Sequence, residues 1–340
     1  MDQFLANLPS VIALVVIIAI LAYAGVRIGV QFLIRRLAGL VFVLLGVTFI
    51  VFILGYLSPG TAIDGLCGNR CTPHVLAELQ HLYGLDLPWY EQYGNFLNGL
   101  LHFNLGLSFQ QRGQTVLSIL GSGIPLSAQL GLPAVILQIV LGVPMGIIAA
   151  VRSGSRVLDT TNMSVNLVLL ALPTFVVIPF YQLFMVFLSA HPLPSAPVAY
   201  SGSFTDLIAP IILLALAGMG YFARLTRTTM LDVLHQDYVR TARAKGLTER
   251  IVIYRHAFRN ALNPLVTAVG PSLAFIVGGA FFAEFLFNIP GIGLAAINSI
   301  GAKDMPVVQG TTIIVALAVV VMNLVVDVVY GILDPRVKVA

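Results

Sequence analysis

YVRTARAKGLTERIVIYRHAFRNALNP, which runs from Tyr238 to Pro264, is a basic, helix-forming stretch placed between very apolar segments. Of the whole chain, 58% is hydrophobic and only 9% is charged, whereas a water-soluble domain carries about 25% charged residues. The composition therefore excludes a soluble globular protein and predicts one that crosses a membrane several times. Within such a chain, a charged helical stretch is expected to lie outside the membrane, in contact with a soluble partner.

Seven apolar segments have the length of membrane spans. A helix needs about 20 apolar residues to cross the roughly 30 Å of hydrocarbon in a bilayer. The segments are Leu8–Val26, Leu37–Leu57, Pro125–Val151, Met163–Leu188, Leu207–Phe222, Leu265–Phe287 and Val307–Val329. They predict an all-α polytopic membrane protein, in which the fifth and shortest segment continues beyond the membrane as a helix.

The distribution of basic residues predicts the orientation, because short cytoplasmic loops collect Lys and Arg. With the C-terminus in the cytoplasm, only Arg70, Arg112 and Lys303 of the 18 basic residues lie outside. The other fifteen lie on the cytoplasmic side, which places the N-terminus outside in a seven-span chain. The same bias explains the net charge of +4 without a nucleic-acid partner.

The first span is interpreted as a retained helix, although a cleaved signal peptide is the alternative. It has no basic residues before it, and no small-x-small cleavage site follows it. Four parts follow: an additional helix and linker at 1–36, the first helix of a six-helix core at 37–57, an extracytoplasmic loop domain at 58–124, and the rest of the core at 125–340.

The extracytoplasmic loop domain contains the only two cysteines of the chain, Cys67 and Cys71, in the run CGNRC. On the oxidising side of the membrane this spacing favours a local disulfide. A zinc site is the alternative, but a closed site needs about four ligands and His74 is the only obvious third. The sequence therefore predicts no metal site.

No catalytic motif is found in the sequence. Lys245, Lys303 and Lys338 are each followed by a residue other than Ser or Thr, so the chain has no P-loop. The six histidines form no HExxH pattern, and no serine stands in a G-x-S-x-G elbow. The sequence predicts a non-catalytic protein that does not itself bind ATP through a Walker motif.

The basic segment, residues 223–264, is predicted to form two helices joined by a glycine. Asp237 is a candidate cap for a short helix over 238–245, Gly246 permits a turn, and Thr248 is a candidate N-cap for a second helix. The apolar stripe predicted for that helix is Ile251, Tyr254, Phe258, Ala261, Leu262 and Leu265. Arg240, Arg243 and Lys245 are expected to face a soluble partner, with topogenic charge alone as the alternative.

Three polar residues near the ends of the last two spans are candidates for the gate or the transport pathway. Asn323 and Asp327 are four residues apart and share a helix face, and Glu284 precedes the run FNIPGIG. Ionisable residues inside a membrane usually pair with one another or line a path. Structural pairing is favoured for both acids, with Arg336 as a candidate partner of Asp327 and gating or binding of a peptide amine as the alternative for Glu284.

The run YVRTARAKGL…RHAFRNAL resembles the EAA loop of ABC-importer permeases, in the form used by the dipeptide, oligopeptide and nickel branch. Arg240 stands where the general pattern has Glu. The resemblance extends to RRLAGLVFVLLGVTFIVFILGYLSPG (35–60), YGLDLPWYEQY (83–93), NLGLSF (104–109), GVPMGIIAAVRSGSRVLD (142–159), LPTFVVIPFYQLF (172–184) and NIPGIG…DPR (288–336). The last run is similar to the B-type subunit.

This resemblance implies a type I importer fold and a permease for di- or oligopeptides in a prokaryotic cytoplasmic membrane. It implies a homologous second permease, two ATP-binding cassette subunits that carry ATP and Mg²⁺, and an extracytoplasmic substrate-binding protein. The residues expected to couple to the ATPase are Tyr238, Val239, Arg240, Thr241, Ala242, Arg243, Ala244, Lys245, Gly246, Leu247, Glu249 and Arg250. The alternatives are a nickel chelate, glutathione, haem or oligosaccharide as cargo, or a self-sufficient secondary transporter.

Overall fold

Helices form most of the computed structural model, which describes residues 30–57, 72–82, 84–111, 113–153, 164, 168, 171, 173–191, 196–277 and 280–333. The α-helices are α1 (Val30–Leu57), α2 (Pro73–Leu82), α3 (Trp89–Leu101), α4 (Val116–Val151), α5 (Thr174–Ser189), α6 (Ile208–Leu234), α7 (Asp237–Ala244), α8 (Arg259–Val277), α9 (Phe281–Leu286), α10 (Ile292–Gly301) and α11 (Met305–Leu333). Between α7 and α8, Glu249–Ile251 forms one α-helical turn and Val252–Phe258 a π-helix.

Four helical segments of the described part are long and apolar enough to cross a membrane: Leu37–Leu57, Val116–Val151, Phe204–Leu234 and Met305–Val326. Each corresponds to a predicted span, and the fifth predicted span does continue as a helix, to Leu234. In the predicted span at 163–188, residues 164, 168 and 171 are helical, and the continuous helix α5 begins at Thr174. The predicted span at 8–26 lies outside the described residues.

The third predicted span begins earlier than expected. It was placed from Pro125, with residues up to 124 in the loop domain, but α4 already begins at Val116. Thr115 caps it, because its hydroxyl accepts a hydrogen bond from the N–H of Ser118 at 3.1 Å. Pro125, Pro133 and Pro144 all lie inside the helix, as membrane helices tolerate where neighbours satisfy the freed backbone groups.

The sixth predicted span, 265–287, is not one helix. Its first part belongs to α8, which ends at Val277, and its last part is the separate short helix α9. Ala280 precedes α9 with a ψ of 70°, which is incompatible with a continuous α-helix. Apolar composition alone does not reveal this break, because apolar residues predominate on both sides of it.

Helices α4 and α6 pack closely through two glycines one turn apart. A Cβ atom on Gly142 would come within 2.7 Å of the carbonyl oxygen of Met219, and one on Gly146 within 2.5 Å of the carbonyl oxygen of Ala223. Small residues at i and i+4 allow such close contact between membrane helices. This contact makes α4 and α6 the central pair of the bundle.

The two ends of α4 contact different parts of the chain. At its N-terminal end, Val116 and Leu120 pack against Ile292 of α10 and Val307 of α11. At its C-terminal end, Ile147 and Ala150 pack against residues of α6 and of the basic segment. A helix of 36 residues is about 54 Å long, so these two regions lie on opposite sides of the bundle.

Asp304 fastens the NLGLSF loop to the start of α11. Its carboxylate is buried, accepts a hydrogen bond from the hydroxyl of Ser108, and accepts another from the N–H of Phe109 at 3.0 Å. The side-chain amide of Gln110 donates to the carbonyl of Ala302 at 2.7 Å. The loop is therefore held by a buried carboxylate from the other end of the sequence.

Replacing Asp304 with alanine is expected to release this loop. Each buried donor that loses its acceptor costs about 1–3 kcal/mol, so we expect at least tenfold faster cleavage within residues 104–115 in limited proteolysis of the purified protein. Asp304→Asn keeps an acceptor oxygen and is the matched control. Equal cleavage of the alanine variant and the wild type would contradict the assignment.

Candidate coupling segment and gate

The first half of the basic segment forms a helix and a tight turn. Gln236 occupies the N-cap position and Asp237 lies in the first turn of α7, so Asp237 is not the cap that the sequence suggested. After α7, Gly246 has a φ of +76° and its N–H donates to the carbonyl of Arg243 at 3.0 Å. Thr248 occupies the next N-cap position, although its side chain makes no capping hydrogen bond.

Two of the twelve predicted coupling residues anchor this segment, and ten are exposed. Val239 and Ala242 are buried against Val252, with Val233 and Leu234 beside them. Their spacing of three residues places both on one face of α7. The exposed residues are Tyr238, Arg240, Thr241, Arg243, Ala244, Lys245, Gly246, Leu247, Glu249 and Arg250. The segment thus presents nearly all of its predicted contact residues to solvent.

An ion pair closes the turn. Arg243 donates from Nη2 to Oε1 of Glu249 at 2.7 Å and from Nε to Oε2 at 3.2 Å. These hydrogen bonds raise the pKa of Arg243 and lower the pKa of Glu249. Arg240 makes a longer contact of 3.9 Å with Asp237. Arg243 is therefore committed within the chain, and Arg240 is the more available cation for a partner.

The ion pair predicts a pH dependence of the turn. Because the pKa of Glu249 lies below its ordinary value of 4.5, the pair stabilises the turn above pH 4.5 and loses this effect as the pH falls through the lowered pKa. We expect Glu249→Gln to speed amide exchange in residues 243–249 about two- to fivefold at pH 7, in line with the roughly 0.2–1 kcal/mol of exposed ion pairs. Once the pH lies well below the lowered pKa of Glu249, the variant and the wild type should exchange alike. A difference that stays constant as the pH falls from 7 through that pKa would contradict this explanation.

The second half of the basic segment differs from the predicted apolar stripe. Ile251 and Tyr254 are exposed, and the buried positions are Val252, Ala257 and Ala261. Val252 and Ala257 are five residues apart, which matches the i→i+5 repeat of a π-helix. The prediction assumed an α-helical repeat, so it assigned the wrong face at Ile251 and Tyr254 and the correct face from Phe258 onward, where the side chain packs against the core.

The buried face of the π-helix connects the basic segment to the membrane helices. Ala257 and Ala261 pack against Ile147 and Ala150 of α4 and against Met230 of α6. The anchor Val252 also contacts α7 through Val239. Packed side chains therefore connect α7 to the central helix pair.

The outer face of the segment is partly apolar. Tyr254, which the sequence placed on the buried stripe, is 56% exposed. It lines a groove of about 390 Å³ together with Arg250, Ile251 and Arg255. The groove combines apolar and cationic side chains, as protein interfaces commonly do, and the π-helical repeat is the signal that would have revealed its outward face.

Glu284 lies at the opposite end of the bundle, where it caps α10. Its side chain is fully buried, and Oε2 accepts hydrogen bonds from the N–H groups of Gly293 at 2.6 Å and Leu294 at 3.2 Å. The hydroxyl of Ser127 in α4 accepts from the N–H of Ile292 at 2.9 Å. A Cβ on Gly291 would overlap both side chains. Oε2 is thus engaged by backbone donors, whereas Oε1 is buried without a hydrogen-bond partner, and the side chain is closed to solvent.

The other two predicted gate residues, Asn323 and Asp327, belong to α11. Asn323 is exposed on α11, and the backbone of Asp327 continues that helix. The surroundings of the Asp327 side chain, its candidate partner Arg336, and Cys67 and Cys71 lie outside the described residues. Their roles stay predictions.

Comparisons with known proteins identify the family of the chain. The family described as "Binding-protein-dependent transport system inner membrane component" matches residues 142–339, and its N-terminal companion, "Binding-prot-dependent transport system membrane comp, N-term", matches residues 29–130. The dipeptide transport system permease protein DppB of Lactococcus lactis is 36% identical over 309 residues, covering 91% of this chain and 99% of its own. The protein of that name from Escherichia coli K12 is 34% identical over 339 residues, with coverages of 91% and 98%.

A solved structure shares the fold. It is titled "Inward facing conformations of the MetNI methionine ABC transporter" and superimposes with a TM-score of 0.53 at 16% identity, over 64% of this chain and 97% of its own. The helical bundle thus shares the fold of that ABC-transporter chain. The chain belongs to the family of binding-protein-dependent transport system inner membrane components, and it is a multi-pass inner-membrane subunit of an ABC importer, which works with ATPase and substrate-binding partners.

Proposed function

We propose that this permease moves di- or oligopeptides across the cytoplasmic membrane, and that α7 with its glycine turn docks on an ATPase subunit. The cargo is inferred from the named dipeptide permeases that match along nearly the whole chain. The docking role is supported chiefly by one observation: ten of the twelve coupling residues are exposed, while Val239 and Ala242 tie the helix to the core.

The proposed complex contains a homologous second permease, two ATP-binding cassette subunits that bind ATP and Mg²⁺, and an extracytoplasmic binding protein. The N-terminus lies outside and the C-terminus lies in the cytoplasm. When ATP closes the ATPase dimer, α7 moves, and the packed contacts of Ala257 with α4 and α6 pass the movement to the bundle. Such coupling requires that the contacts differ between the two states of the bundle.

Site-specific crosslinking tests the docking and the orientation together. We would replace Tyr238, which is 43% exposed at the basic-segment end, with the photo-crosslinker p-benzoylphenylalanine. The matched control is Phe103, an aromatic residue that is 84% exposed in the NLGLSF region at the other end of the bundle. The Tyr238 variant should capture a P-loop ATPase subunit. The Phe103 variant should not capture it, and the reverse pattern would overturn the docking surface and the orientation.

The cargo is tested with the whole complex. Affinity purification in mild detergent should recover a second permease and P-loop ATPases, which are then reconstituted in liposomes with the co-purifying binding protein. We expect ATP-dependent accumulation of radiolabelled Ala-Ala. A complex that hydrolyses ATP in response to its binding protein but accumulates no di- or tripeptide would overturn the peptide assignment.

A further inference from the structure

A cavity lies among the membrane helices. It measures about 390 Å³, is lined by α4, α6 and α8, and is bordered by Thr174 and Ala280. Its volume falls within the roughly 300–1,000 Å³ that small-molecule sites occupy. The described lining is mostly apolar and contains four polar side chains, all uncharged: Gln138, Thr174, Tyr221 and Ser272.

The cavity lies at mid-length of the central helices. Gln138 stands 22 residues after the start of α4 and 13 before its end, which corresponds to about 33 Å and 20 Å along the axis. Tyr221 is similarly internal to α6. In secondary transporters the substrate site lies near the bilayer midplane. Polar side chains at that depth commonly line a pathway, because exposing them to lipid is costly.

The side-chain amide of Gln138, in α4, is hydrogen-bonded to the backbone of α6. Its Nε2 donates to the carbonyl of Leu214 at 3.1 Å. The amide rests on Gly218, where a Cβ would overlap it. A glutamine amide has two N–H donors and an acceptor oxygen, and this hydrogen bond commits only one donor. The remaining donor and the oxygen match the carbonyl and N–H of a peptide group.

We propose that this cavity is a contact site for the transported peptide, in which the Gln138 amide hydrogen-bonds to the peptide backbone. The inference rests on the proposed function and adds a recognition group to it. A neutral amide recognises what all peptides share. The uncharged lining neither attracts nor repels one sign of charge, so the contact suits peptides of differing side chains.

The test compares Gln138→Leu with Gln129→Leu in the reconstituted complex. Gln129 lies in the same helix, is exposed, and stands nine residues away, which places it on the opposite face at about 100° per residue. Uptake of radiolabelled Ala-Ala should fall about three- to tenfold in Gln138→Leu, as expected for losing a neutral hydrogen bond. ATP hydrolysis stimulated by the binding protein should stay within about twofold of the wild type, and Gln129→Leu should match the wild type.

An ester analogue of Ala-Ala, which lacks the peptide N–H, sharpens the comparison. The wild type should take up the amide faster than the ester. In Gln138→Leu the ratio of amide uptake to ester uptake should be about threefold smaller than in the wild type. A preference of the binding protein itself cancels from this comparison, because the same binding protein delivers substrate to the wild-type permease and to the variant. Unchanged uptake and unchanged preference in Gln138→Leu would overturn the inference alone. A wild-type complex that hydrolyses ATP but imports neither compound would overturn the proposed function and the inference with it.

A second readout covers the case in which Gln138→Leu does not assemble. Tyr221 is replaced with p-benzoylphenylalanine and the complex is irradiated during turnover with radiolabelled Ala-Ala. Labelling of the permease above that of the same replacement at Gln129 is expected. Equal labelling at both positions would overturn the inference.

Discussion

Gly246→Pro is expected to reduce ATP-driven uptake at least tenfold while the membrane helices stay folded. Gly246 has a φ of +76°, whereas proline holds φ near −65°. Proline also lacks the backbone N–H through which Gly246 donates a hydrogen bond to the carbonyl of Arg243. Both effects redirect the chain between α7 and the following turn, so α7 can no longer keep its exposed face and its two buried anchors in place together.

The measurement is uptake of Ala-Ala and ATP hydrolysis by the same proteoliposomes. The proline variant should still hydrolyse ATP but lose uptake of Ala-Ala, because ATP hydrolysis is then no longer coupled to transport. Gly246→Asn is the matched control, because asparagine tolerates a positive φ and keeps its N–H, and no atom lies within 4 Å of a Cβ built at this position. It should transport within about twofold of the wild type. A proline variant that transports as well as the asparagine variant would refute the coupling role of the turn.

Glu284→Ala is expected to cause a large loss of stability at the opposite end of the bundle. The substitution removes the acceptor for two N–H groups in the first turn of α10, those of Gly293 and Leu294. Each buried donor left without a partner costs about 1–3 kcal/mol. The loss of a fully buried side chain adds the cost of a cavity.

The measurement is the thermal unfolding midpoint of the complex purified in detergent. Glu284→Gln retains an oxygen that can accept both hydrogen bonds, so its unfolding midpoint should be lowered much less than that of the alanine variant. Ser127→Ala removes the acceptor for one N–H, that of Ile292. Its unfolding midpoint should lie between those of the two Glu284 variants. If Glu284→Ala and Glu284→Gln unfold at the same temperature, the carboxylate does not cap α10.

The sequence predicted much of the coupling segment, and it failed where the helical repeat changes. The short helix before Gly246 and the turn at Gly246 follow from local residue preferences, so they were visible in the sequence. The positions of Ile251 and Tyr254 depend on a π-helical turn. That turn is set by packing of Val252 and Ala257 against other helices, and an α-helical pattern cannot reveal it.

Residues that act across long distances in the chain were the hardest to predict. The hydrogen bond that caps α10 joins Ser127 and Ile292, which are 165 residues apart in the sequence. The hydrogen bond that holds the NLGLSF loop joins Ser108 and Asp304, which are 196 residues apart. Glu284 was recognised as unusual, but its partners were not. Gln138 gave no sequence signal, because a single glutamine in an apolar helix has no periodic partner.

The sequence by itself determined that this chain is an all-helical membrane protein, and its ordered motifs predicted the family that the comparisons confirm. Hydropathy, charge bias and short motifs are local properties, and they can be read residue by residue. The tertiary structure decided which side chains meet: the break between α8 and α9, the outward face of the π-helix, the cap on α10 and the cavity beside Gln138. These features depend on packing between helices that are distant in the chain, and no local pattern encodes that packing.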